Sequence, residues 1–135
     1  MGPGDRRGQG SFEVVIRVRD LERARTLYRR LGFVEVDVDE GRACRLRCGD
    51  SVLVLRDRAW AGSPERDELA THGPRGGGVV LSVAVRDVDE VLAYWLEEGM
   101  LIVAGPQRSR GGRIFHGLDH DGYELRVQGP DVGEA

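Results

Sequence analysis

The sequence predicts an α+β fold built from two tandem βαβββ modules, and three observations predict it. The stretch Phe12 to Phe33, FEVVIRVRDLERARTLYRRLGF, returns 67 residues later as Val79 to Met100, VVLSVAVRDVDEVLAYWLEEGM. Within each copy an apolar period of two gives way to a period of three to four, the change from strand to helix. After each helix come short strand-like runs broken by Gly and Asp turn residues, with no further helical period.

In the first copy Val14, Ile16 and Val18 alternate with Glu13, Val15 and Arg17, so one side of this strand packs on a helix and the other faces elsewhere. Asp20 fits an N-cap, because its carboxylate can accept from the free amides of the first helical turn. Leu21, Ala24, Tyr28 and Leu31 form the apolar stripe, and Gly32 supplies the stop. Phe33 to Val38 reads as a strand and Asp39-Glu40-Gly41 as a turn. Arg42 to Cys48 and Ser51 to Arg56 are strands joined by a tight turn at Gly49-Asp50. Residues 11–56 thus make the first module, after a loose, disordered tail over 1–10.

Residues 57–78 carry two prolines, a glycine run and alternating charges, the composition of a linker or lid, with Trp60 its largest apolar side chain. The second module spans 79–128. Its helix, Val88 to Glu98, is capped by Asp87 with Glu90 in the capping-box position, and Val88, Val91, Leu92 and Trp95 make its stripe. Gly99 ends it. A short strand over Leu101 to Ala104 and a loop over Gly105 to Gly111 precede strands at Gly112 to Leu118 and Tyr123 to Gln128, joined by an Asp-Gly turn. Residues 129–135 form a polar tail. Tyr28 and Trp95 lie on the helix stripes and are expected in the core, with Tyr94 at the helix edge.

At 135 residues the chain is one ordinary domain, and each half is too small to bury a good core alone. A net charge of -3 with dispersed arginines gives no field that would gather nucleic acid. All 20 basic residues are Arg, which excludes Schiff-base chemistry through lysine. Cys44 and Cys48 are too close along one extended strand to bridge easily, so reduced thiols and a cytoplasmic home are expected. The N-terminal segment lacks the apolar stretch of a signal peptide, and no run approaches the ~20 apolar residues of a membrane-spanning helix.

The duplicated unit, with VRDLERARTLYRRLGF after its first strand and GLDHDGYELRV near the end, resembles the vicinal oxygen chelate superfamily. That superfamily contains glyoxalase I, extradiol dioxygenases, fosfomycin-modifying enzymes and bleomycin resistance proteins. The resemblance implies a cupped mixed sheet with the helices on its outer face. It also implies that metal ligands, where present, stand at the positions held here by Glu13, Val54, Val80 and Arg126. Valine donates no lone pair and Arg126 adds a cation, so this set opposes a divalent ion. Gly112-Arg113-Ile114-Phe115, followed by Asp119 and Gly122, is similar to the end pattern of the metal-free bleomycin resistance proteins, with His120 where those often carry proline.

If Val14, Ile16 and Val18 pack on the helix, alternation sends Glu13, Val15 and Arg17 into the cup. The same parity sends Val52, Val54 and Arg56, then Val80, Ser82 and Ala84, then Glu124, Arg126 and Gln128 to that side. Small residues in the middle leave volume for a bulky ligand. Glu13 and Arg126 either neutralise each other as an ion pair or hydrogen-bond a ligand. Phe33, Trp60, Phe115 and Tyr123 could stack on planar rings, although Trp60 could equally tuck against its own module. Arg113 joins the site through the resemblance. His116 and His120 straddle a strand end and a turn, which leaves joint metal ligation unsupported.

The expected function is therefore a metal-free, cofactor-free binding protein that confers resistance by sequestering an antibiotic-like ligand in a groove, as a homodimer, with neither nucleic acid nor membrane as partner. Its alternatives are a glyoxalase-like lyase or isomerase, metal-dependent or using Glu13 as general base, and a scaffold whose cup is vestigial.

Overall fold

A computed structural model describes residues 12–57 and 79–131. Residues 1–11, 58–78 with Trp60, and 132–135, and any expectation attached to them, lie outside the described residues. In the first half β1 (Val14–Val18) leads into α1 (Leu21–Arg30), then β2 (Val34–Asp39), β3 (Ala43–Cys48) and β4 (Ser51–Asp57). The second half repeats this as β5 (Val80–Ala84), α2 (Val88–Glu97), β6 (Ile102–Ser109), β7 (Gly112–Leu118) and β8 (Glu124–Gly129). Each half forms a four-stranded mixed sheet, ordered β1-β4-β3-β2 and β5-β8-β7-β6. The first and last strands of each module pair in parallel and the others antiparallel. The α+β fold of two βαβββ modules is the one the sequence predicts.

Both helices start as their sequences dictate. The Asp20 carboxylate accepts from the Arg23 amide at 3.1 Å, and that of Asp87 from the Glu90 amide at 3.2 Å. Gly32 and Gly99 follow with positive φ, the conformation a helix end of this kind requires. The stripe residues Leu21, Ala24, Tyr28, Val88, Val91 and Trp95 are buried against one face of their sheets. Tyr94, expected at the helix edge, is also buried, with the Arg30 guanidinium 4.9 Å from its ring centroid.

The residue pairs under the helices differ between modules in a complementary way. By strand register Leu46 pairs with Leu53 as Gly117 pairs with Leu125, so Leu46 and Gly117 are equivalent, as are Tyr28 and Trp95. The larger indole is accommodated by the missing side chain: a Cβ on Gly117 would stand 2.5 Å from Trp95 Nε1. The indole N–H then donates to the Leu118 carbonyl at 3.0 Å, and Phe115 packs edge-on against the ring with centroids 5.4 Å apart.

One strand is longer than its sequence suggests. β6 runs on through Gly105 and Pro106, where a loop is expected. Proline cannot donate to a ladder, but here it lies on an edge strand within a register shift between Ala104 and Gln107, where no regular donor is required.

The modules are locked together by the turn between β7 and β8. Asp119 is buried and accepts from the Tyr28 hydroxyl at 2.8 Å and from the amides of Asp121 and Tyr123, both at 2.9 Å. β1 is an edge strand, and this turn satisfies its outward backbone at Arg17 and, just beyond the strand, the amide of Arg19. Asp121 accepts from the Arg19 amide at 2.9 Å, while the Tyr123 hydroxyl accepts from the Arg17 amide at 3.2 Å and donates to the Arg17 carbonyl at 3.1 Å.

Candidate functional site

The faces of the two sheets away from the helices carry the candidate site. Ile16, Val18, Cys44, Leu46, Leu53 and Leu55 belong to the core, so Val15, Arg17, Ala43, Arg45, Arg47, Val54 and Arg56 share the opposite face of the first sheet. In the second sheet the buried Leu125 and Val127 leave Glu124, Arg126 and Gln128 opposite, beside Val80, Ser82 and Ala84 on β5 and Ile114, His116 and Leu118 on β7.

Across the middle of the second sheet runs the row Ser82, Arg126, His116, each the register partner of the next. His116 Nδ1 lies 3.0 Å from Glu124 Oε2, a contact that fixes the ring and leaves Nε2 as its other polar atom. Gln128 Nε2 lies 3.5 Å from Ser82 Oγ. Arg126 is exposed and makes no ion pair among the described residues. In the equivalent row of the first sheet Val15, Val54 and Arg45 replace them, and Arg45 on β3 reaches across β4 to bond Glu13, which immediately precedes β1.

Several expected site residues stand elsewhere. Phe115 has no exposed surface and faces the helix, because it registers with buried Val127; it offers no stacking face. Arg113 is on that same helix side and donates to Asp89 at 3.0 Å. The Gly-Arg-Ile-Phe motif is thus explained by packing in this chain. Gly112 fits the same account, since a Cβ there would meet the Gly129 carbonyl at 1.9 Å. Tyr123 spends its hydroxyl on the β1 backbone, as described above. Phe33 is half-buried with its ring edge-on to Tyr28, centroids 5.6 Å apart, and lines a cavity at the module junction. The expected pair of Glu13 with Arg126 is replaced by Glu13 with Arg45.

Glu13, Arg17, Val54, Arg56, Ser82 and Arg126 remain on the inward strand faces, with Val54 buried and Arg126 exposed. Arg45 and His116 are the residues sequence reasoning left out. The period-two alternation of β3 and β7 contains the signal for both, once one buried residue on each strand is known.

The donor set does not suit a divalent metal at the family's positions. Val54 and Val80 have no ligating atom, Arg126 brings a positive charge, and Glu13 is engaged by Arg45. Among the described residues no three His, Cys, Asp or Glu side chains group together as a metal site would need. Cys44 is buried and both cysteines are free thiols, the burial pushing the Cys44 thiol up from its ordinary pKa. Among the described residues no helix is long and apolar enough to cross a membrane.

The profile of the Glyoxalase/Bleomycin resistance protein/Dioxygenase superfamily matches residues 11–127. No curated protein matches the chain in sequence. Among solved structures, a glyoxalase/bleomycin resistance protein/dioxygenase family enzyme from Burkholderia phytofirmans PsJN superposes with a TM-score of 0.65 at 19% identity, covering 87% of this chain and 95% of that one. The fosfomycin resistance protein FosX from Mesorhizobium loti gives a TM-score of 0.62 at 19% identity over 93% and 96% of the two chains. TnmS3, an antibiotic binding protein from Streptomyces sp. CB03234, gives 0.56 at 26% identity over 90% and 98%.

Proposed function

Because the chain belongs to the glyoxalase/bleomycin resistance protein/dioxygenase superfamily, we propose that it is a metal-free binding protein that confers antibiotic resistance by sequestration. Its ligand is a bulky, aromatic-containing natural product, bleomycin-like or another DNA-damaging antibiotic, held in a groove of a homodimer. The observation that carries this reading is the replacement of a metal-ligating set by Glu13 with its Arg45 partner, two valines and Arg126, which makes no ion pair among the described residues. An exposed guanidinium beside Ser82 and His116 suits the hydrogen-bonding groups of an organic guest better than it suits a cation. The likeness to TnmS3, an antibiotic binding protein, supports an antibiotic as the guest. Exposed Val34 and Val36 on edge strand β2, with Leu101 and Val103 at β6, support pairing of two copies.

A melting-temperature screen against DNA-damaging natural products, followed by mass spectrometry of each hit, tests the proposal. The ligand is expected to bind at one per groove and to be recovered unchanged. Arg126→Ala is expected to weaken it about 10- to 100-fold, the loss of charged hydrogen bonds, with little change in stability because the side chain is exposed. Recovery of a modified compound, or one transition metal per chain in protein purified without added metal, would overturn the reading.

A second reading, an acid–base enzyme of lyase or isomerase type, is favoured by the His116–Glu124 contact beside Arg126. It requires turnover that His116→Gln or Glu13→Gln abolishes while ligand binding survives.

A further inference from the structure

The two module junctions are equivalent in backbone and unlike in filling. Val14 pairs with Leu53 as its repeat partner Leu81 pairs with Leu125, so two residues earlier Ser51 is the counterpart of Tyr123. On the Tyr123 side the junction is closed by a phenol: the ring packs against the core and its hydroxyl meets the outward N–H and C=O of β1 at Arg17. Among the described residues no phenol takes that place on the Ser51 side. A cavity of about 220 Å3 lies there, with Val14, Phe33, Leu53, Leu81 and Val83 among the residues that line it beside Ser51.

The edge strand at this cavity is β5, whose one partner among the described strands is β8. Arg17 turns its amide and carbonyl away from β4, and its repeat partner is Ala84. By the alternation of a strand, Ser82 and Ala84 therefore turn theirs away from β8. The inward amide of Val85, which donates to Gln128 at 2.8 Å, has the opposite parity and agrees. The chain thus presents an apolar hollow ending at an outward donor and acceptor, the same elements that hold the Tyr123 ring in the other half.

We infer that this cavity is a binding site for a hydroxylated aromatic ring, which takes the place that Tyr123 takes in the second module. Ring faces meet Phe33, Leu53 and Leu81, and the hydroxyl both donates to and accepts from the β5 backbone at Ser82, which lines the cavity. Apolar cavities of roughly 150 Å3 stay dry and take benzene, so the larger volume here admits a phenol with room for a fused second ring. The inference stands on the junction alone and does not depend on the sequestration reading.

The test uses p-cresol, the tyrosine side chain as a free molecule, and toluene, which lacks the hydroxyl. In the full chain p-cresol is expected to shift the methyl resonances of Val14, Leu53, Leu81 and Val83 saturably, and to bind about tenfold more tightly than toluene, as the added hydrogen bonds require. Ser51→Tyr is expected to fill the cavity from within, to raise the melting temperature and to weaken p-cresol at least about tenfold. Absence of saturable shifts at those methyls, equal binding of toluene, or unchanged p-cresol binding in a folded Ser51→Tyr variant would each overturn the inference. Should that variant not fold, the wild-type shifts and the toluene ratio decide alone. Failure of the natural-product screen would leave these outcomes unaffected.

Discussion

In the first module Tyr28 and Leu46 are both buried in the core and Tyr28 turns its hydroxyl to Asp119 in the second module; the equivalent Trp95 packs over Gly117 and spends its N–H on Leu118, within its own module. Arg25 and Glu35 form a two-pronged ion pair in the first module where Leu92 and Ile102 stand in the second, both packed on the core. A repeated backbone therefore tolerates different side chains provided that volume and polar satisfaction are restored locally. What is not restored is the junction: one turn carries buried Asp119 with Tyr123, the other exposed Gly49-Asp50.

The largest expected effect comes from erasing that asymmetry at Asp119. Asp119→Ala leaves the Tyr28 hydroxyl and two amides without their acceptor, at a cost of about 3–5 kcal/mol in urea unfolding. Asp50→Ala, at the matching turn, is expected to stay within about 0.5 kcal/mol. Equal losses at the two turns would show that the junction is not where the modules differ. Burial holds the Asp119 carboxyl above its usual pKa despite the hydrogen bonds it accepts. A raised folded-state value means the ionised carboxylate opposes folding. Its contribution to stability is therefore fully present below the ordinary aspartate pKa and is lost as pH rises through the folded value.

A smaller effect is expected where the helices meet their sheets. Gly117→Ala drives a methyl into the buried indole and displaces its hydrogen bond, which should cost about 2–3 kcal/mol. Combining it with Trp95→Phe removes the colliding ring edge. The two changes should therefore couple favourably by at least about 1 kcal/mol in a double-mutant cycle. Strict additivity would mean that Gly117 is not the space the indole occupies.

The modules were legible because the repeat supplies two independent readings of each element, and because caps at Asp20 and Asp87 leave local marks. The facing of β7 was not. Phe115 looks inward or outward with equal ease until it is known to pair with Val127, and that pairing is a long-range fact. Pro106 hid the length of β6 because the sequence does not reveal that its strand is an edge with a register shift. Of the cup, the parity of β1, β4, β5 and β8 placed Glu13, Arg17, Val54, Arg56, Ser82 and Arg126 on one strand face each, whereas the partner of Glu13 depended on which strand lay beside β4.

The mildest change exchanges the modules' solutions at one site. Arg25 holds the Glu35 carboxyl below the usual glutamate pKa through paired hydrogen bonds, against the opposing cost of burial. A depressed folded-state pKa stabilises the fold above the ordinary value of about 4.3, and the contribution is lost as pH falls through the lowered one. Glu35→Ile alone leaves Arg25 largely covered with Glu22 as its near partner, and should cost about 1–2 kcal/mol, less than a fully buried pair because both groups keep some solvent. Arg25→Leu with Glu35→Ile writes the second module's apolar pair into the first and should return stability to within about 1 kcal/mol of the parent. The double variant should also lose the acid sensitivity that Glu35 confers, seen as a flatter urea midpoint below about pH 5. If it instead unfolds as readily as the single variant, the ion pair carries a positional role in the first module that Leu92 and Ile102 do not perform in the second.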